Sequence, residues 1–148
     1  MKIRTAQIND REEWARLRNL LWPDTIQNHL TEIDDFFTGL NVHISEVFVI
    51  EEKMHALAGF LELGIRNYAE GSMASYVPYV EGFYVAEDYR KKGCGKQLLE
   101  MAEKWALSND FQELASDAEL RNTASIAAHQ ALGFREVARQ VCFIKQLK

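Results

Sequence analysis

Residues 76 to 108 constrain the fold more than any other stretch. YVPYVEGFYVAED (76 to 88) is rich in aromatic and β-branched residues and reads as a central strand. RKKGCG (90 to 95) follows. KQLLEMAEKWALSN then puts Leu98, Leu99, Ala102, Trp105 and Ala106 on the buried face of a helix. Strand, glycine loop and helix in that order make an anion site, because a helix N-terminus presents free N–H groups and the positive end of its dipole. Gly93 and Gly95 permit positive φ and close approach of a phosphate. Arg90, Lys91 and Lys92 add positive charge. The plainer alternative is a glycine turn with surface cations.

Two phosphate loops fail the test of residues. The nucleoside-triphosphate loop needs glycine at 90 and Ser or Thr at 97, where the chain has Arg90 and Gln97. The dinucleotide fingerprint needs a third glycine where Leu98 stands. Arg-x-x-Gly-x-Gly remains.

The chain has 148 residues, 47% of them hydrophobic, enough for one sizeable core. No linker, repeat or low-complexity run divides it, so one domain over residues 1 to 148 is expected. The N-terminus lacks a signal-type apolar core, and Glu62 and Arg66 interrupt the best candidate for a membrane span. Cys94 and Cys142 lie far apart, which favours free thiols and a cytoplasmic location without excluding a disulfide. The net charge is −5 and the only basic cluster is 90 to 92. That argues against a nucleic-acid face and suits a small anion, or mere solubility elsewhere.

Around this centre, KIRTAQI (2 to 8) reads as a strand. A helix follows, with Asp10 as a candidate cap and Trp14, Leu17 and Leu21 on one face. Trp22-Pro23 ends it. Asp24 or Thr25 can cap a second helix, which Gly39 stops. EVFVIEE (46 to 52) and HALAGFLELGIRNY (55 to 68) read as antiparallel strands. In the strand at 76 to 88, Pro78 demands a bulge or a late start. QELASD (112 to 117) reads as a strand, NTASIAAHQALGF as a helix capped by Asn122 or Thr123, and REVARQVCFIKQL as strand material. The order predicts a mixed α/β sheet protein. His29, His43, His55 and His129 have no metal-ligand spacing with one another or with the cysteines, and there is no G-x-S-x-G elbow.

VEGFYVAEDYRKKGCGKQLLEMAEKWA, followed by ELASDAELRNTASIAAHQALGF, resembles the GCN5-related N-acetyltransferase (GNAT) family over nearly the whole chain. The resemblance implies an α/β fold: a mixed sheet with splayed central strands and flanking helices, opening between 76 to 86 and 112 to 117. It implies acetyl-coenzyme A as cosubstrate, with no metal. The pyrophosphate would lie on the loop amides of Arg90, Lys91, Lys92, Gly93, Cys94 and Gly95. Backbone groups of Phe83, Tyr84 and Val85 would meet the acetyl and pantetheine parts, with Val85 N–H as donor to the carbonyl. Asn122 belongs to the family's second cofactor-side segment. A cysteine thiol at a helix N-terminus beside three cations is expected to react readily, with no catalytic role.

Amine attack on a thioester needs a deprotonated amine, a donor to the carbonyl oxygen and a proton for the leaving thiolate. Glu81 is the candidate base or ammonium anchor; otherwise it is a strand glutamate paired with a surface lysine. His129 stands where many family members have tyrosine. It is either the acid that protonates the thiolate or a helix histidine with its hydrogen bonds already satisfied.

Within the family, LRNLLWPDT, GIRNYAEG, VEGFYV, ELASDAE and HQALGF are similar to bacterial aminoglycoside 6'-N-acetyltransferases. Aminoglycosides are polycations rich in hydroxyls, and a site for them wants carboxylates and aromatic surface. Trp22, Thr25, Tyr68, Glu81 and Asp117 are the candidates, with Glu136 a weaker one on the strand after Gly-Phe. Trp22 could instead be core packing, Tyr68 a surface aromatic and Asp117 a cap for the helix at 122. The resemblance also implies a cytoplasmic homodimer. The alternatives are a GNAT enzyme acting on a polyamine or other small amine, and a non-catalytic acyl-coenzyme A-binding module.

Overall fold

The computed structural model describes residues 1 to 148. Four strands form one antiparallel sheet in sequence order: β1 (Lys2–Thr5), β2 (Glu46–Glu51), β3 (Leu57–Arg66) and β4 (Val77–Val85). Helices α1 (Arg11–Leu21) and α2 (Ile26–Thr38) connect β1 to β2, α3 (Cys94–Ser108) follows β4, and α4 (Thr123–Ala131) comes last. No helix is long and apolar enough to cross a membrane. The mixed α/β architecture is the expected one.

Alternation along the strands gives the sheet two covered faces. Val47, Val49 and Phe60 pack under α1 and α2 with Trp14, Leu17 and Ile33. Phe48, Ile50, Leu61 and Leu63 turn to the opposite face and meet Leu98, Leu99 and Ala102 of α3. The caps follow local chemistry. Thr25 accepts from Asn28 N–H at the start of α2, and Gly39 closes that helix at φ 80°. Asp10 does not cap α1. Its carboxylate is buried against Arg4 and accepts from Gln7 N–H at 2.7 Å.

Three strand expectations need correction. Pro78 needs no bulge. Its carbonyl accepts from Ala115 N–H at 2.9 Å, so its missing donor also faces that side rather than β3. The bulge lies three residues on, where Glu62 pairs with Gly82 and Leu63 with Val80, leaving Glu81 as the extra residue. Residues 112 to 117 form only a parallel bridge between Tyr79 and Ala115. Val80 N–H donates to Ala115 O at 2.9 Å, and no further backbone bond joins the two segments. They part at the residue before Glu81, which is the expected splay. Residues 135 to 148 form no strand: all are exposed and none makes a backbone hydrogen bond. A strand is completed by backbone bonds to a neighbour, and this segment makes none.

Candidate functional site

The glycine loop lies at the end of β4. Gly93 has φ 83° and Lys91 φ 60°, and Gly93 O takes the first bond of α3, from Gln97 N–H. The N–H groups of residues 91 to 96 have no backbone or side-chain partner in the protein. This is the arrangement that receives an anion. A Cβ on Gly95 would lie 3.3 Å from the Phe83 ring, so glycine there lets the helix start tightly against β4. Ala86 N–H bonds Ala58 O on β3, so the N–H and C=O of Val85 face the gap. Val85 C=O accepts from Arg90 Nε at 2.8 Å, while the Arg90 guanidinium stands 5.4 Å from the Tyr84 ring centre. Lys92 leans toward Tyr89, its ammonium 5.8 Å from that ring.

The Cys94 thiol is not exposed as the sequence suggested. Its side chain is buried in the core with Leu98 and Leu99, so only its N–H can serve the loop. The first turn of α3 aims residue 94 at the sheet, an orientation that loop composition does not reveal.

Away from the loop, the β-bulge presents Glu81 at the rim of the sheet. Glu81 lines two clefts, of about 490 and 420 Å³. Tyr68 shares the first with Arg66, Tyr76 and His43. Trp22 shares the second with Arg18, Glu32 and Glu62. The Cη2–Cζ2 edge of the Trp22 indole lies over Gly82, where a Cβ would come within 2.5 Å of Cη2, and the indole packs in a T-shaped arrangement with Phe60. Trp22 is therefore partly packed and partly presented to solvent. Glu81 pairs with Arg66 through two bonds of 2.8 Å, rather than with a lysine. Arg66 lies over the Tyr79 ring at 3.6 Å, and Tyr79 O–H donates to Asp117 Oδ2 at 2.7 Å. Burial first, then that bond to Asp117, push the phenol above its usual range. Glu81, Arg66, Tyr79 and Asp117 thus form one chain of contacts across the parting strands. Asp117 does not cap α4: Asn122 does, accepting from Ser125 N–H at 3.0 Å. Thr25 serves as the cap of α2, and Glu136 pairs with Arg139 on the exposed tail; neither lines these clefts.

His129 has both ring nitrogens engaged. Nδ1 lies 2.7 Å from Ser125 O, which fixes the proton on Nδ1 because a carbonyl only accepts. Nε2 lies 2.7 Å from Ser116 Oγ, which donates to it in the neutral ring. The neutral ring therefore has no proton on Nε2 to give, whereas the protonated ring donates from both nitrogens, to Ser125 O and to Ser116 Oγ.

Sequence reading missed Arg66, Tyr79, Ser116 and a buried carboxylate. Glu62 sits in the middle of β3 with 1% of its surface exposed. Trp14 Nε1 donates to it at 2.9 Å. Arg18 Nε is 2.9 Å away and Arg18 Nη1 is 2.6 Å from Glu32, both at ion-pair distance but off the N–H directions. Burial pushes Glu62 up to about 7 against the pull of Arg18. The sequence signal was available, a charge at the centre of the apolar run LAGFLELG, but its partners are 44 and 48 residues away.

The Acetyltransferase (GNAT) family profile matches residues 14–134. The chain is 40% identical to an aminoglycoside N(6')-acetyltransferase type 1 of Klebsiella aerogenes, over 98% of this chain and 96% of that protein. It superposes on the aminoglycoside 6'-N-acetyltransferase AAC(6')-IG from Acinetobacter haemolyticus with a TM-score of 0.89, at 34% identity over 100% of both chains. AAC(6')-Iy, solved with the bisubstrate analog CoA-S-monomethyl-acetylneamine, is 31% identical over 98% of this chain and 97% of that one, with a TM-score of 0.87. With the splayed strands, the open amide loop and likeness over its whole length, this chain belongs to the GNAT acetyltransferase family.

Proposed function

We infer that the protein is a single-domain, cytoplasmic aminoglycoside 6'-N-acetyltransferase that confers resistance by moving acetyl from acetyl-coenzyme A directly to the 6'-amine. The observation that carries this reading is the run of unpaired N–H groups at 91 to 96, at the end of the strand that bears Glu81. Full-length similarity to enzymes of that name supports the substrate class.

The thioester supplies the activated acetyl group; the protein supplies position and charge. The loop amides hold the pyrophosphate. Val85 N–H, facing the gap, polarises the carbonyl. Glu81 anchors the acceptor's ammonium and accepts its proton, directly or through water. Asp117 takes a second ammonium, while Trp22 and Tyr68 give the sugar rings a surface. His129, with Ser116, returns a proton to the departing thiolate. Two bound substrates held in line need no covalent enzyme intermediate.

A panel of kanamycin, tobramycin and spermidine, with product regiochemistry by NMR, tests the reading. Acetylation at the 6'-amine is expected. Preference for spermidine would favour the small-amine alternative, and binding without turnover would favour a non-catalytic module. The free thiols of Cys94 and Cys142 fit a reducing compartment.

The tail supports the homodimer. Val141, Phe143, Ile144 and Leu147 are 71%, 91%, 97% and 83% exposed, in a segment patterned as a strand. The backbone groups of Leu114 and Ser116, beside the bridge at Ala115, are also unpaired. A second copy satisfies both deficits if its tail pairs with residues 112 to 117. Light scattering should give a dimer, and Phe143→Asp should give a monomer. A full-length chain that is monomeric would refute the homodimer.

A further inference from the structure

We propose that Arg66 is an internal competitor for Glu81: in the free protein its guanidinium holds the carboxylate that the acceptor's ammonium must take, and so sets acceptor affinity. The proposal rests on the reading of Glu81 as the ammonium anchor.

Glu81 is the extra residue of a bulge, so its carboxylate is aimed at the rim rather than locked into the pleat. Arg66, the last residue of β3, reaches across and places Nε and Nη2 each 2.8 Å from one Glu81 oxygen. That fork takes both oxygens, which an incoming amine needs. The pair stands at the mouth of the cleft shared with Tyr68, with the Arg66 side chain 44% exposed. Partly exposed pairs are weak and open readily. Arg66 also has somewhere to stay when displaced. Its guanidinium already lies 3.6 Å from the Tyr79 ring centre, and the Tyr79 hydroxyl leads to Asp117. A rotation of the side chain releases Glu81 without removing the cation from its aromatic platform. The ion pair thus serves as a lock on the anchor, opened by a stronger or multiply charged cation.

The sign of the effect separates this role from an ordinary one. An arginine that bound substrate would lose affinity on replacement. A competitor gains it. Tobramycin binding should be measured by calorimetry alongside steady-state rates. Arg66→Gln should lower the tobramycin Kd and KM by about two- to fivefold, the range expected for an exposed ion pair. The acetyl-coenzyme A KM should hold. In a Glu81→Gln background the gain should vanish, because nothing remains to compete for. Arg66→Lys, which keeps the charge but loses the fork, should show a smaller gain and serves if the glutamine variant folds poorly. An unchanged or raised tobramycin Kd in either folded variant overturns the proposal. If Glu81→Gln alone leaves tobramycin binding untouched, the anchor reading falls first, and the proposal with it.

Discussion

Replacing Glu62 by Gln should make the protein more stable at pH 8 and leave it nearly unchanged at pH 5. Gln has the shape of a protonated Glu, and its amide oxygen can still accept from Trp14 Nε1, which lies 2.9 Å from Glu62 Oε1. Two causes oppose each other in the native carboxyl. Burial disfavours the charge and Arg18 favours it, and burial wins, raising the group from 4.5 to about 7. A folded-state value above the unfolded one means that the native chain holds a proton that the unfolded chain has released. The group's favourable contribution is therefore full below pH 4.5 and is lost as pH rises through about 7. At about 1.36 kcal/mol per pH unit, that gap amounts to about 3 kcal/mol. Every other titrating group is common to both chains and cancels in the difference. Urea denaturation at several pH values from 5 to 8 measures it. The advantage of the Gln variant should grow with pH and level off above 7. A difference that is flat, or that turns toward the wild type as pH rises, would show that Arg18 outweighs burial.

Asp117→Asn should raise the aminoglycoside KM or lower kcat/KM by roughly 1.5–3 kcal/mol of lost charge-assisted bonding, with the acetyl-coenzyme A KM held. Tyr79→Phe, which frees Asp117 from its only protein donor, should leave the substrate contact in place; equal kinetics for Asp117→Asn and wild type would make Asp117 structural. His129→Phe should lower kcat with little change in either KM, Tyr should restore part of it, and Ser116→Ala should behave like Phe if the proton passes through that hydroxyl. Equal rates for His, Tyr and Phe would remove His129 from the chemistry. Gly93→Ala places a side chain at φ 83° and should cost about 1 kcal/mol while weakening acetyl-coenzyme A binding; unchanged coenzyme affinity would put the pyrophosphate elsewhere.

The sequence by itself determined what depends on neighbours along the chain. The amphipathic faces of α1 and α3, the caps at Thr25 and Asn122, the stop at Gly39 and the glycine loop all rest on local backbone and side-chain chemistry. So did the order of strand, loop and helix, from which an anion site followed. Only the tertiary structure could decide what depends on register and on groups far apart. A β-bulge is a mismatch between two strands, so the extra residue at Glu81 cannot be seen in either strand alone. Arg66 reads as one more surface cation until its pairing with Glu81, 15 residues on, appears. Cys94 looks exposed among glycines and lysines until the first turn of α3 points it into the core. The segment at 135 to 148 has the pattern of a strand, yet pattern supplies only a preference. A strand exists where another edge completes its hydrogen bonds, and in a single chain residues 135 to 148 find none.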